Sequence, residues 1–218
     1  MKILELELQT NNLKLTEKFY SEVLELEIND KNPNSVAFIV GQSILRFTEH
    51  NDKSRKYHFA FNIPNNKLED AIKWISTRSE LIKNSEDSII TRFDNWNAES
   101  IYFYDNNKNI LEFISRYDLE NPSNKFFDSK LIQSISEIGV VTDKPLVLAE
   151  KLIKEENLDY FKKGPKREDF TALGDDNGLI VISNPNRNWY PTNNRAEKHW
   201  AKMKILAHET IRQIDIIQ

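Results

Sequence analysis

The stretch Trp96–Tyr117, W-N-A-E-S-I-Y-F-Y-D-N-N-K-N-I-L-E-F-I-S-R-Y, holds two apolar runs, a tight turn and one charge in an unexpected place. Ser100 to Tyr104 is rich in residues that suit a pleated surface, and Ile110 to Ile114 is apolar again. Between them Asp105-Asn106-Asn107-Lys108-Asn109 has side chains that bond their own backbone and tolerate left-handed conformations. The stretch predicts a hairpin. Along its second strand Leu111 and Phe113 take one face, while Ile110, Glu112 and Ile114 take the other. Glu112 therefore shares a face with two isoleucines. Either that face is solvated, or the carboxylate is a ligand or catalytic group inside a curved sheet.

Upstream of the hairpin, one order of elements occurs twice. Ile3 to Thr10 alternates apolar and polar residues as a half-buried strand does, and Asn11-Asn12 can cap a helix over Leu13 to Leu24, with Phe19, Tyr20, Val23 and Leu24 on one stripe. A short strand is expected near Leu26 to Ile28. Asn32-Pro33-Asn34 then interrupts before the run Val36 to Val40, and Gly41-Gln42 turns it into Ser43 to Thr48. The second copy starts with a strand at Tyr57 to Ile63. It continues with a helix placing Leu68, Ala71, Ile72 and Ile75 on one face and ending near Ser79, a strand at Ser88 to Phe93, and the hairpin. Each copy reads β-α-β-β-β. Laying S-I-L-R-F-T over N-I-L-E-F-I puts Arg46 at the position of Glu112, and laying the first strands together puts Glu5 at that of His58.

A linker with Asn121-Pro122-Ser123 follows, and Ile135 to Thr142 starts a third copy. Its helix opens at Pro145 with Leu146, Ala149, Leu152 and Ile153 apolar, and its last hairpin joins Phe170–Leu173 to Leu179–Ser183 through a Gly174–Gly178 turn. Here Glu137 lies over Glu5, and Val181 over Glu112. The third copy keeps half the charged pattern and is expected to be structural or to cover the pocket. The organisation expected is thus 1–53 and 54–117 as two units, 118–130 as linker, and 131–218 as a degenerate third unit with an extension. In the extension, Asn184–Trp200 and an amphipathic stretch Lys202–Ile217 have no counterpart. A unit of one open curved sheet and one helix cannot cover its own concave face, so units must pack in pairs, and the first two are expected to enclose the pocket.

At 218 residues, with 39% hydrophobic and 29% charged residues, the chain has an ordinary globular composition. A net charge of −4 gives no reason to expect nucleic acid. The absence of cysteine excludes disulfides, a thiolate nucleophile and sulfur ligation, so a metal would use His, Asp or Glu. With no long apolar window, a cytoplasmic protein with no membrane partner is expected. There is no G-x-S-x-G, phosphate-cradling glycine loop or H-E-x-x-H.

The segment Y-F-Y-D-N-N-K-N-I-L-E-F resembles the closing hairpin of the vicinal oxygen chelate superfamily, the glyoxalase, bleomycin-resistance and extradiol dioxygenase group. That unit ends in a G-N-x-L-E-F strand after a Y-F-x-D-P turn, and here Asn106 replaces the proline and Lys108 the glycine. The resemblance covers roughly the whole chain and is best over residues 1–117; the tail resembles that of three-unit bacterial members. It implies an α+β fold of tandem βαβββ units with curved mixed sheets. It also implies metal ligands on the first and last strands of each unit. Carried over by position these are Glu5, His58 and Glu112, with Arg46 in the fourth place.

One imidazole and two carboxylates suit Fe, Mn, Zn or Ni. Three ligands match the extradiol dioxygenases, although those carry histidine where Glu5 stands, and Arg46 breaks the four-ligand glyoxalase pattern. The resemblance therefore implies a metal-dependent enzyme, with extradiol cleavage of a small catechol-like or other vicinal-oxygen substrate ranked above glyoxalase-like lyase chemistry. The alternative is a metal-free small-molecule binder of the bleomycin-resistance kind, in which Arg46 pairs with Glu112 or Glu5. Arg46, Tyr104 and Arg116 are candidates to bind an anionic or phenolic substrate, with Arg116 otherwise meeting solvent or Asp118. His50, His199 and His208 are expected at the surface, Trp96, Trp189 and Tyr190 in packing, and a homodimer through the third unit is a further expectation.

Overall fold

Each expected repeat joins its first strand to its last in parallel, a pairing that needs a crossover, and a helix supplies it each time. The computed structural model describes residues 1–50 and 55–217, so the unit boundary expected at 53/54 lies outside the described residues. In the first repeat β1 (Lys2–Thr10), α1 (Leu13–Lys18), β2 (Ile28–Asn32), β3 (Ser35–Val40) and β4 (Ser43–Glu49) follow in order. The Asn12 side chain accepts the Leu15 N–H at 3.0 Å, so the expected cap is present, and α1 loosens into a π turn over Phe19–Val23.

The second repeat has β5 (His58–Ile63), α2 (Leu68–Ser76), short strands β6 (Leu81–Ile82) and β7 (Thr91–Phe93), and the hairpin β8 (Ala98–Tyr104) and β9 (Ile110–Arg116). The third has β10 (Ser134–Val141), α3 (Pro145–Glu156), β11 (Phe170–Asp175) and β12 (Gly178–Ser183). The registers repeat. Glu7 stands opposite Arg46, Ala60 opposite Glu112 and Gly139 opposite Val181, so the residue two places earlier on the first strand is Glu5, His58 or Glu137. This is the equivalence read from the aligned motifs.

The amphipathic stretch Lys202–Ile217 is a hairpin, β13 (Ala201–Ala207) and β14 (Thr210–Ile216), turned by His208-Glu209 with both residues at positive φ. Its alternation of buried and exposed residues is the strand period of 2, which also gives an amphipathic pattern. β13 lies antiparallel on β1, pairing Leu6 with Met203 and Glu7 with Lys202. Strand β10 pairs with β1 at Ile3 and Ile135, and its longer antiparallel pairing is with β5, with Ile138 opposite Phe59 and Glu137 opposite Ala60. Repeats two and three therefore share a concave face, whereas repeat one faces the C-terminal hairpin. This corrects the expectation that the first two repeats enclose the pocket alone. The reason lies in edge pairing: β5 is buried along its whole length, so it needs a neighbour on each side, and β10 supplies the second.

The core runs through all three repeats, from Tyr20, Phe38 and Phe47 through Phe59, Phe61 and Phe113 to Ile138 and Ile180. One polar seam crosses it. Tyr20 Oη donates to Asp105 Oδ2 at 2.8 Å, and the backbone N–H groups of Asn107 and Asn109 donate to Asp105 Oδ1, which ties the first helical segment to the turn of the β8–β9 hairpin. Burial pushes the Asp105 carboxyl up to about 6, against these four donors' pull when Asn109 Nδ2 is included. Among the described residues no helix is long and apolar enough to cross a membrane.

Candidate metal centre in an aromatic pocket

Because Ala60 pairs with both Glu112 on β9 and Glu137 on β10, two carboxylates flank β5, and His58 lies two residues along on the same face. One ligand atom from each of His58, Glu112 and Glu137 lies within 4.8 Å of the others, and all three residues are buried. His58 Nε2 is 3.6 Å from Glu112 Oε2. The other ring nitrogen, Nδ1, lies 3.2 Å from the Ile110 carbonyl, which can only accept, so Nδ1 carries the proton and Nε2 turns its lone pair to the carboxylates. Burial holds His58 down at about 4, with the Ile110 carbonyl opposing, and so the ring is neutral at physiological pH.

Glu112 accepts a hydrogen bond from Ser100 Oγ at 2.5 Å, and the Tyr102 hydroxyl near it also favours its ionised form. Burial pushes its carboxyl up to about 8, Glu137 adds to the rise, and Ser100 and Arg116 oppose it. Glu137 is also raised by burial, against the pull of Arg116. The two carboxylates thus share one poorly solvated site, a situation a cation would relieve. The donor set fits a divalent ion: a neutral imidazole with its second nitrogen anchored and two carboxylates.

Arg116, fully buried, donates to Glu137 through Nη2 and to Ser136 Oγ at 3.3 Å, and its Nη1 reaches Asp176 at 3.5 Å. Lys163 then bridges Asp176 and Asp118 at 2.6 Å each, so a chain of charges leads from the centre to the surface. The expectation that Arg116 meets solvent or Asp118 directly is corrected: its side chain ends the β9 strand beneath Trp96, on the inner face, where Glu137 neutralises it.

Above the three donors is a cavity of about 340 Å³ walled by Phe93, Trp96, Tyr102, Phe170, Trp189 and Tyr190. Trp189 comes from the strap between β12 and β13, and its ring lies tilted against that of His58, 5.1 Å between centroids. Gly139 makes the seat for it. A Cβ at that position would lie 2.6 Å from Trp189 Cη2, so the indole rests on the backbone of β10. Trp96, Trp189 and Tyr190, expected as packing residues, are pocket walls: the strap carrying Trp189 and Tyr190 folds back over the sheet, and Trp96 stands in the turn that leads into β8.

Of the sequence-derived candidates, His58 and Glu112 come together. Glu5 does not join them: on β1 it accepts from Arg46 Nε at 2.9 Å, while the other two guanidinium nitrogens fork onto Asp30 at 2.7 and 3.0 Å. Arg46 is thus held in the first repeat. Tyr104 supports the strap by accepting from Asn194 Nδ2 at 3.1 Å, and the tyrosine that lines the cavity is Tyr102. Glu137 is the residue the sequence reading passed over. The signal was available, since Ser136-Glu137-Ile138-Gly139 puts a charge within an apolar strand as Glu112 does. His199, expected at the surface, packs edge-on against Tyr57 and accepts the Lys56 N–H at 3.2 Å.

No family model matches the chain, and no curated protein matches it. Solved structures do. A Bacillus subtilis protein provisionally named a dioxygenase superposes with a TM-score of 0.61 over 99% of this chain and 84% of its own, at 16% identity. A point variant of glyoxalase I from Zea mays gives 0.58 over 90% of this chain and 72% of its own, at 13% identity. Identities this low speak for the fold alone. With the thrice-repeated strand register, they show that the chain has the glyoxalase, bleomycin-resistance and dioxygenase fold, the α+β architecture of the vicinal oxygen chelate proteins.

Proposed function

We propose that the chain is a metal-dependent enzyme of the vicinal oxygen chelate type, with its centre at His58, Glu112 and Glu137. In this reading it cleaves a small catechol-like or other vicinal-oxygen substrate in the manner of an extradiol dioxygenase. The observation that carries the reading is the meeting of three buried donors, one an imidazole with its second nitrogen anchored, at the floor of an aromatic cavity. A divalent metal bound there would act as Lewis acid and as template for two adjacent oxygens.

The chain's own residues do the rest. The Ile110 carbonyl keeps His58 in the tautomer that offers Nε2. Trp189 and Tyr102 hold a flat ring and exclude water, and the Tyr102 hydroxyl, its pKa raised by burial and by Glu112, keeps a proton beside the reacting oxygens. Arg116 holds Glu137 in place and lowers the cost of its burial.

The test is the metal content of protein purified without chelator, for wild type and Glu112→Ala, followed by oxygen uptake with simple catechols. Stoichiometric Fe, Mn, Zn or Ni that is lost in the variant supports the reading. A second reading, a metal-free binder, is favoured by the Arg116–Glu137 pair and the raised Glu112 carboxyl, which together neutralise the site from within. Wild-type protein without metal, binding small aromatic molecules unaltered, would select it.

A further inference from the structure

Resting on the reading of this cavity as a substrate site, we propose that the substrate is a planar aromatic anion, its ring held by the aromatic walls and its carboxylate or similar group paired with Arg187. Among the described residues lining the cavity, Arg187 is the one cation, whereas Glu112 and Glu137 are both carboxylates. The vicinal oxygens of such a substrate would meet the donors at the cavity floor, so a further anionic group on its ring needs a second partner. Arg187 provides that place.

Its geometry suits the task. The guanidinium carbon lies 4.9 Å from the centroid of Phe170, a wall of the same cavity, so the planar group is oriented by an aromatic face. The backbone is fixed on both sides, as the Arg187 N–H donates to the Asn184 carbonyl at 3.1 Å and its carbonyl accepts the Ala196 N–H at 2.9 Å. Nη1 donates to Asp169 Oδ2 at 2.7 Å, and no other hydrogen bond among the described residues uses the guanidinium.

A bland reading makes Arg187 a strut for Asp169. The charge count argues against it. Asp169 already receives a fork from Arg167, Nε to Oδ1 at 2.9 Å and Nη2 to Oδ2 at 3.0 Å, so one carboxylate faces two guanidinium groups and a positive charge is left over. With the Arg187 side chain 35% exposed, that charge sits where a ligand can reach it from solvent. Ser183 and Asn188 line the cavity as further hydrogen-bonding groups.

Tryptophan fluorescence is the readout, since Trp96 and Trp189 both line the cavity. Benzoate and benzyl alcohol, rings of similar size differing in charge, are titrated into the protein as purified and again after chelation. Benzoate should bind at least about tenfold more tightly than benzyl alcohol, and Arg187→Gln should remove most of that difference, as expected for a hydrogen bond to a charged partner. Equal binding of the two rings, binding of neither, or benzoate affinity unchanged in Arg187→Gln would overturn the proposal. Charge selectivity that depends on Arg187 in protein that carries no metal as purified would sink the metalloenzyme reading and leave this assignment standing. Metal bound at Glu112 without charge selectivity would do the reverse.

Discussion

The first repeat and the paired second and third repeats put charged residues at the same strand positions and obtain opposite results. On β1 and β4 the positions hold Glu5 and Arg46, which join Asp30 in an ion pair whose side chains are between 21% and 44% exposed. On β5, β9 and β10 they hold His58, Glu112 and Glu137, all of which are buried. The strand registers are the same, so backbone geometry does not explain the difference. What differs is the cover. A full repeat lies against the second one and brings a carboxylate and an aromatic strap, whereas a single hairpin with Lys202 and Lys204 lies against the first. An ion pair near water contributes little, and two carboxylates out of water call for a cation.

The sharpest way to break this comparison is to remove one carboxylate from each region. Glu112→Ala should weaken metal binding by more than ~100-fold, beyond the effect of losing an outer partner of a ligand, while Glu5→Ala leaves it unchanged. Calorimetric titration with Zn or Mn checks both, and equal losses in the two variants would end the distinction. Arginine gives the next contrast. Arg116→Ala leaves Glu137 buried without its partner and should cost about 3–5 kcal/mol in urea unfolding. Arg46→Ala, in the exposed network, should cost less than about 1 kcal/mol.

Filling the seat of Trp189 with Gly139→Ala should cost about 1–3 kcal/mol and shift tryptophan emission to the red, because the new methyl group meets the indole.

The smallest contrast is in pH, read from melting temperature after chelation. Between about 7.5 and 8 the folded chain keeps much of the Glu112 proton while the unfolded chain has released it near 4.5, and His58 is neutral in both states. The folded state therefore binds more protons, and stability should fall as pH rises through this window. Glu112→Gln should flatten the slope. The first repeat has the opposite sign: hydrogen bonding to Arg46 holds Asp30 below its ordinary 3.8, so its contribution is complete above that value and lost as pH falls through the lower folded one.

Several features of the site were legible in the residues. Alternation marked β1 and the hairpin, a lone carboxylate between isoleucines marked Glu112, and superposing the motifs placed His58 at an equivalent position. The absence of an alignment partner for Lys202–Ile217 concealed a hairpin, since an amphipathic pattern in a short stretch fits either period. Trp189 and Tyr190 were illegible as pocket walls because nothing in N-R-N-W-Y-P-T says over which surface a strap will fold. Glu137 was visible and undervalued, because its last-strand counterpart is Val181 and the third repeat was judged on its own and not as the partner of the second.

Periodicity and spacing act within a few residues, and so the sequence by itself determined the strands, the helices, the repeat and the charges that each strand turns to one face. Which repeat meets which was decided in the tertiary structure. Pairing of β5 with β10, and of β1 with β13, depends on which edges remain open once each repeat has closed on itself, and on how much apolar surface each pairing removes from water. Those quantities belong to the assembled sheet. From them follow the burial of Glu137 beside Glu112 and His58, and the separation of Glu5 into an ion pair of its own.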